Sequence, residues 1–148
     1  MHPESSRRIQ AIDSKLEKQN LKTKLKPLTP TPATPSQIQL VHSQDYVNQI
    51  VRIGKGTQEI IYIDADTAMG PGSLQAALLA SGAGCQAVDL ILSGIIDRAF
   101  CAVRPPGHHA EMSQAMGFCI FNNIAVAAMH AIEVHKLERV AIIDFDVH

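Results

Sequence analysis

Ile9, Ile12, Leu16 and Leu21 recur near helical spacing between charged positions, which predicts an amphipathic packing helix over about residues 5–20. Residues 27–36 break that pattern. Pro27, Pro30, Pro32 and Pro35 with interleaved Thr cannot donate a regular ladder of hydrogen bonds, so they predict an extended surface connection. Ser43 is placed to cap a second helix, with Asp45 in its first turn, Tyr46, Val47, Ile50 and Val51 on one side, and Gly54 just past its end. From residue 59 onward short apolar runs alternate with longer helical stretches. Strands are predicted at Ile60 to Ile63, Ala99 to Val103 and Val140 to Phe145, and helices at Ser73 to Leu92 and Asn122 to Val134. Gly82 and Gly84 each weaken the first of these helices by about 1 kcal/mol. Strands and helices in alternation predict an α/β fold with a mainly parallel sheet covered by helices.

Composition narrows this picture. At 148 residues, 46% hydrophobic and 18% charged, the chain has the apolar content of one well-buried domain rather than of a disordered segment. Its apolar runs are interrupted by Asp, Gly, Gln or Arg within a few residues, so no bilayer-spanning segment is expected. Met1-His2-Pro3-Glu4 lacks the profile of a secretory leader, and Cys85, Cys101 and Cys119 are odd in number, so a reducing, cytoplasmic setting is expected. Residues 1–56 hold nine Lys/Arg against four Asp/Glu, and residues 57–148 hold four against ten. The basic third has no interleaved aromatics and no Gly-rich loop. It reads as a solvated helix face and linker, not a nucleic-acid footprint.

In parallel sheets ligands bind beyond the carboxyl ends of the strands, so the residues after each predicted strand carry the candidate chemistry. These are Asp64-Ala65-Asp66, then Arg104-Pro105-Pro106-Gly107-His108-His109, then Asp144-Phe145-Asp146-Val147-His148. Period-2 alternation would put Asp144, Asp146 and His148 on one side of an extended segment, where two carboxylates and an imidazole suit zinc, iron or manganese. Such acids could equally hydrogen-bond to nearby loops. The tandem His108 and His109 follow a stiff Pro-Pro-Gly turn and titrate near neutrality, which suits general acid–base work or metal ligation, as well as plain solvation. Gly117 permits close approach of backbone or ligand, Phe118 offers an apolar wall, and Cys119 reads as a buried packing thiol in preference to a nucleophile. His42, His130 and His135 show no partner pattern and read as structural or surface residues.

Taken together, Arg104-Pro105-Pro106-Gly107-His108-His109-Ala110, Gly117-Phe118-Cys119 with Phe121-Asn122-Asn123, and Ile143-Asp144-Phe145-Asp146-Val147-His148 resemble the zinc-dependent histone deacetylase and acetylpolyamine amidohydrolase family. His2-Pro3-Glu4, Val41-His42-Ser43 with Tyr46-Val47, and Asp64-Ala65-Asp66-Thr67 with Pro71-Gly72-Ser73 match in the same order. The resemblance implies the arginase/deacetylase three-layer α/β sandwich and hydrolysis of an N-acetyl amide to acetate and a free amine. It implies zinc ligation by Asp146 and His148, an acid/base pair in His108 and His109, and Asp144 as the carboxylate that orients one of them. It further implies a structural K+ held by backbone carbonyls around Asp144, Asp146 and His148. Gly117 and Phe118 would line the acyl tunnel, and Asp64 would be the rim carboxylate that holds substrate.

The match also departs from the family. A catalytic zinc takes three protein ligands, and the family's third, an aspartate, has no counterpart here. Nor do its glycine-rich continuation and transition-state tyrosine. Residues 1–148 are therefore expected to be the N-terminal part of a deacetylase-like domain, incomplete at both ends and inactive alone. The substrate would be an acetylated lysine peptide or an acetylpolyamine, in the cytoplasm or, in a eukaryote, the nucleus. The competing expectation is a non-catalytic short product acting as an interaction fragment or remnant. An arginase-like manganese hydrolase shares the fold, but the Asp-x-Asp-x-His order favours the deacetylase side.

Overall fold

The structure, a computed structural model, describes residues 4–147; His2, Pro3 and His148 lie outside them. Helix α1 (Arg7–Lys18) forms where the periodicity places it, but Ile9, Ile12 and Leu16 are only half-covered and the helix buries no residue. The proline segment holds its irregular course only to Thr34, whose hydroxyl and the Gln37 side chain close a capping box on α2 (Pro35–Ile38). Along the way it docks on the protein: the Ala33 amide donates to the Leu78 carbonyl at 2.8 Å.

Ser43 caps α3 (Gln44–Gly56) as its sequence predicts, its hydroxyl accepting from the Tyr46 amide. The helix runs through Gly54 instead of stopping there. A Cβ at Gly54 would fall 2.4 Å from Leu74 Cβ, so this glycine is a notch for the next helix and not a terminator. Tyr46, Val47 and Ile50 face inward and join Ile38, Met69, Ala77, Phe121 and Val126 in the core.

Strand formation departs most from expectation. The run Ile60 to Ile63 contributes only β1 (Ile61–Tyr62), paired antiparallel with β2 (Ala68–Met69) as a hairpin, Ile61 opposite Met69. Neither Ala99 to Val103 nor Val140 to Phe145 forms a strand among the described residues. A ladder needs a neighbour on at least one side, and the last segment has none: Ile143, Phe145 and Val147 are 85%, 91% and 97% exposed. The expected parallel sheet is therefore not formed by the described residues.

The helical layer that would cover such a sheet is present. Helix α4 (Ser73–Leu92) packs on α5 (Asn123–Glu133), which is capped by the Asn122 side chain. Ser81 meets Asn123, Gly84 faces Ala127 and Asp89 meets His130, so the two helices run in the same direction. That is the relation expected of crossover helices on one face of a parallel sheet. By length and mean hydropathy (1.3), α4 does qualify as a bilayer-crossing segment, contrary to the reading of its sequence. In this fold it is a packing helix, with Ala77, Ala80, Ser81, Gly82 and Cys85 buried.

Candidate active site

The loop carrying the tandem histidines is gripped at four points. Its Arg104 side chain donates to Glu4, a carboxylate only 6% exposed that also takes a hydrogen bond from Arg8 at 2.6 Å. The Pro105 carbonyl accepts from Asn123 Nδ2 at 3.1 Å, and the Ala110 carbonyl accepts from Asn122 Nδ2 at 3.1 Å. Between these anchors Gly107 lies so close to α5 that a Cβ would sit 2.5 Å from the Asn123 amide nitrogen. Asn123 is itself positioned by Ser81, whose hydroxyl donates to Oδ1 at 2.7 Å. The sequence places both asparagines at the start of a predicted helix; their bridges to the histidine loop are set by how that helix packs.

The grip sets the two imidazoles side by side, with ring centroids 4.1 Å apart. His108 Nδ1 lies 2.7 Å from Asp144 Oδ2. The His108 hydrogen bond, and secondly the Asp146 amide donating to Asp144 Oδ1 at 3.0 Å, hold the Asp144 carboxyl below the usual carboxylate range. An ionised Asp144 can only accept, so this hydrogen bond has His108 donating from a proton on Nδ1, which leaves Nε2 as its other ring nitrogen. Two of the expected acid–base residues and their carboxylate partner are thus assembled although no strand carries Asp144.

Gly117 and Phe118 form a turn in left-handed backbone, φ 56° and 68°. The turn presses on His109: a Cβ at Gly117 would lie 2.5 Å from His109 Cδ2. Asp66 and Thr67 hold the turn, Asp66 Oδ1 accepting from the Gly117 amide at 3.1 Å and Thr67 Oγ1 from the Phe118 amide at 3.0 Å. Asp64, singled out from the sequence, sits half-buried in the β1–β2 connection, where its own amide donates to the Thr67 carbonyl at 3.3 Å. Asp66, which the sequence marks only as part of the Asp64-Ala65-Asp66 segment, has its role here, since a short acid followed by Thr can accept from nearby backbone amides.

Phe118 also borders an open cavity of about 360 Å³, with Tyr62, Asp66, Arg104 and Ile120 among its walls. The histidines do not line it. Cys119 is buried, its thiol donating to the Gly117 carbonyl and pushed up by burial, as befits a packing thiol.

Of the expected metal ligands, Asp146 is exposed and His148 lies outside the described residues. By residue type, a carboxylate and an imidazole suit zinc in donor chemistry, and they are one fewer than the usual three. A different group of three ligating side chains does converge: Asp89, His130 and His135, whose ligand atoms lie within 4.8 Å of one another. These histidines were read as partnerless, a reading the structure corrects. Asp89 is 41 residues from His130, a separation that no local pattern bridges.

The chain was compared with known proteins. A model of the histone deacetylase domain matches residues 2–148. The human polyamine deacetylase HDAC10 is 36% identical over 149 residues, 98% of this chain and 22% of that protein. A histone deacetylase-like amidohydrolase of Pseudomonas aeruginosa is 38% identical over 99% of this chain and 37% of its own length. The crystal structure of the HDA15 HD domain superposes with a TM-score of 0.84 at 34% identity, over 90% of this chain and 37% of that one. The chain thus spans less than half the length of these relatives, and within that span the arginase/deacetylase fold predicted from its sequence is the fold of its solved neighbour. The chain belongs to the histone deacetylase domain family.

Proposed function

We propose that the chain carries the acid–base half of a deacetylase site that hydrolyses an N-acetyl amide to acetate and a free amine. The observation that carries this reading is the His108–Asp144 contact at 2.7 Å with the His109 ring beside it, centroids 4.1 Å apart and tilted by 52°. Zinc, held by Asp146 and His148, would supply polarisation of the acetyl carbonyl and acidification of a water. His108, oriented through Nδ1, offers Nε2 to take or return a proton at the reacting carbon's water or leaving nitrogen. His109, pinned under Gly117, supplies the second proton-carrying group. Phe118 gives the acyl chain an apolar wall, Gly117 leaves it room, and Asp64 holds the substrate backbone at the rim.

Two features support the proposal that these residues alone do not complete the catalyst. Two ligands leave zinc short of its usual set. A donor for the developing oxyanion is also needed, yet the Tyr46 hydroxyl is buried and donates to the Ile120 carbonyl at 2.6 Å. Relatives named for histone and for polyamine deacetylation match equally well in the covered region, so the substrate class is an acetyl-lysine peptide or an acetylpolyamine. A cytoplasmic setting goes with either. The described residues lend the K+ site no support.

The test is deacetylation of a fluorogenic acetyl-lysine peptide and of an N-acetylpolyamine, with zinc, by the 148-residue chain and by any in-frame product extending past His148. Activity confined to the longer protein and lost in Asp146→Asn is expected. Equal activity of the short chain would overturn the ligand count, and inactivity of both would favour a non-catalytic interaction fragment.

A further inference from the structure

Asp89 stands in the last turns of α4, His130 in the last turn of α5, and His135 in the connection that follows. One oxygen of Asp89, Oδ1, lies 2.7 Å from His130 Nε2 and 2.6 Å from His135 Nε2. The two rings meet edge to face, centroids 5.5 Å apart. His135 is steered there by a tight reversal in which Lys136 takes a φ of 59° and the Leu137 amide reaches back to the Ala131 carbonyl.

We propose that this group is a second metal site, distinct from the acid–base loop, that takes a divalent zinc-class ion in a two-histidine, one-carboxylate set. Ligand chemistry is the first argument: two imidazoles and a carboxylate are donors that zinc, iron(II), cobalt(II) and nickel(II) share. Electrostatics is the second. Because α4 and α5 run in the same direction, both carboxyl-terminal ends converge on this point, and each carries a partial negative charge that favours a cation. Reach is the third, since Asp89 is 49% exposed and so has room to swing its free oxygen outward, while His130 is 6% exposed and fixed. In the structure the rings share that carboxylate by hydrogen bonds from Nε2. A metal on both Nε2 atoms would displace the protons that now bond to Asp89, and each neutral ring would then carry its one proton on Nδ1. His130 Nδ1 is buried without a partner, so the change of tautomer leaves the number of unpaired atoms there as it is. The ion would lock the ends of two helices that otherwise meet mainly through small side chains.

The experiment is zinc binding by equilibrium dialysis and metal analysis on the chain, with cobalt(II) absorption and melting temperature as further readouts, in wild type, Asp89→Asn, His135→Gln and Asp146→Asn. Asp89→Asn keeps an oxygen that accepts both Nε2–H bonds, so the helix clamp survives while the anionic ligand is lost. Expected are one zinc that persists in Asp146→Asn, is weakened at least tenfold in Asp89→Asn and His135→Gln, and raises the wild-type melting temperature more than that of either. Unchanged zinc affinity in Asp89→Asn and His135→Gln overturns the site, as does wild-type binding abolished by Asp146→Asn alone. Should His135→Gln fail to fold, Asp89→Asn decides.

Discussion

Arg104 donates through Nε to Oε1 of Glu4, a residue 100 positions earlier in the chain. This pair ties the chain's amino-terminal motif to the first residue of the loop that bears both catalytic-candidate histidines. Glu4 takes Arg8 as well, so one buried carboxylate pairs with two guanidinium groups. Glu4 is 6% exposed while Arg8 and Arg104 are 59% and 35% exposed, so removing the carboxylate's charge forfeits hydrogen bonds to a charged group without stranding a buried cation. Glu4→Gln is expected to lower unfolding stability by roughly 1–3 kcal/mol, read from urea denaturation. A midpoint within error of wild type would show that the pair positions nothing.

The His108–Asp144 contact predicts an activity defect out of proportion to any structural one. Asp144 is half-exposed at the end of the described chain, so Asp144→Asn should leave the fold's melting temperature nearly unchanged. Asn can offer its amide N–H to His108 Nδ1 and so favour the wrong tautomer. Deacetylation by the protein found active should fall by about 100-fold or more. A loss below threefold would remove Asp144 from the mechanism.

Gly82 reverses the usual rule for helices. Ala is the better helix former by about 1 kcal/mol, yet a Cβ here would lie 1.9 Å from the Thr31 carbonyl oxygen and 2.7 Å from the Ala33 nitrogen. Gly82→Ala should therefore destabilise the protein by about 1–3 kcal/mol by prising the proline segment off α4. Gly56→Ala, with nothing within 4 Å, is the control and should be neutral or stabilising by up to about 1 kcal/mol. Equal effects at the two sites would rule out the docked segment.

His42 makes stability depend on pH. Burial pushes its imidazole below its ordinary value of 6.5, against weaker opposition from the nearby Met112 and Glu111 carbonyls, and Nε2 accepts from the Asn122 amide. The unfolded chain therefore takes up the proton first. The stability that neutral His42 contributes is present above about pH 6.5 and declines as pH falls through the folded-state value, by at most about 1.4 kcal/mol per pH unit. His42→Gln, which keeps an acceptor for Asn122, should be less stable at pH 7.5 but lose less between pH 7.5 and 5.5. Parallel declines would assign the effect to other groups.

Gly117 at φ 56° tests the loop over His109. Gly117→Ala meets both a disfavoured backbone region and a 2.5 Å approach to the His109 ring, so stability should fall by about 1–3 kcal/mol. Deacetylation should fall with it, and the His109 ring resonances should shift in NMR spectra. Unshifted resonances would separate the turn from the histidine.

Local rules were legible from the sequence wherever the determinant lies within a few residues. Ser43 and Asn122 start helices because a short polar side chain next to an apolar periodic run has a free amide to accept from, and α4 follows from Ala/Leu content alone. The motif order placed His108, His109 and Asp144 in one family, and the structure does bring His108 and Asp144 together. Strands were different. The apolar runs at Ala99 and Val140 have the composition of buried strands, but a strand exists only as a pairing, and no partner among the described residues pairs with them. Likewise Gly54 and Gly82 looked like interruptions until the packing of Leu74 and the Thr31 carbonyl against them made them notches. The three-point meeting of Asp89, His130 and His135, and the hold of Glu4 on Arg104, depend on contacts between residues far apart in the chain. Spacing along the chain sets which face a residue occupies, whereas which distant face it meets is decided only when helices pack.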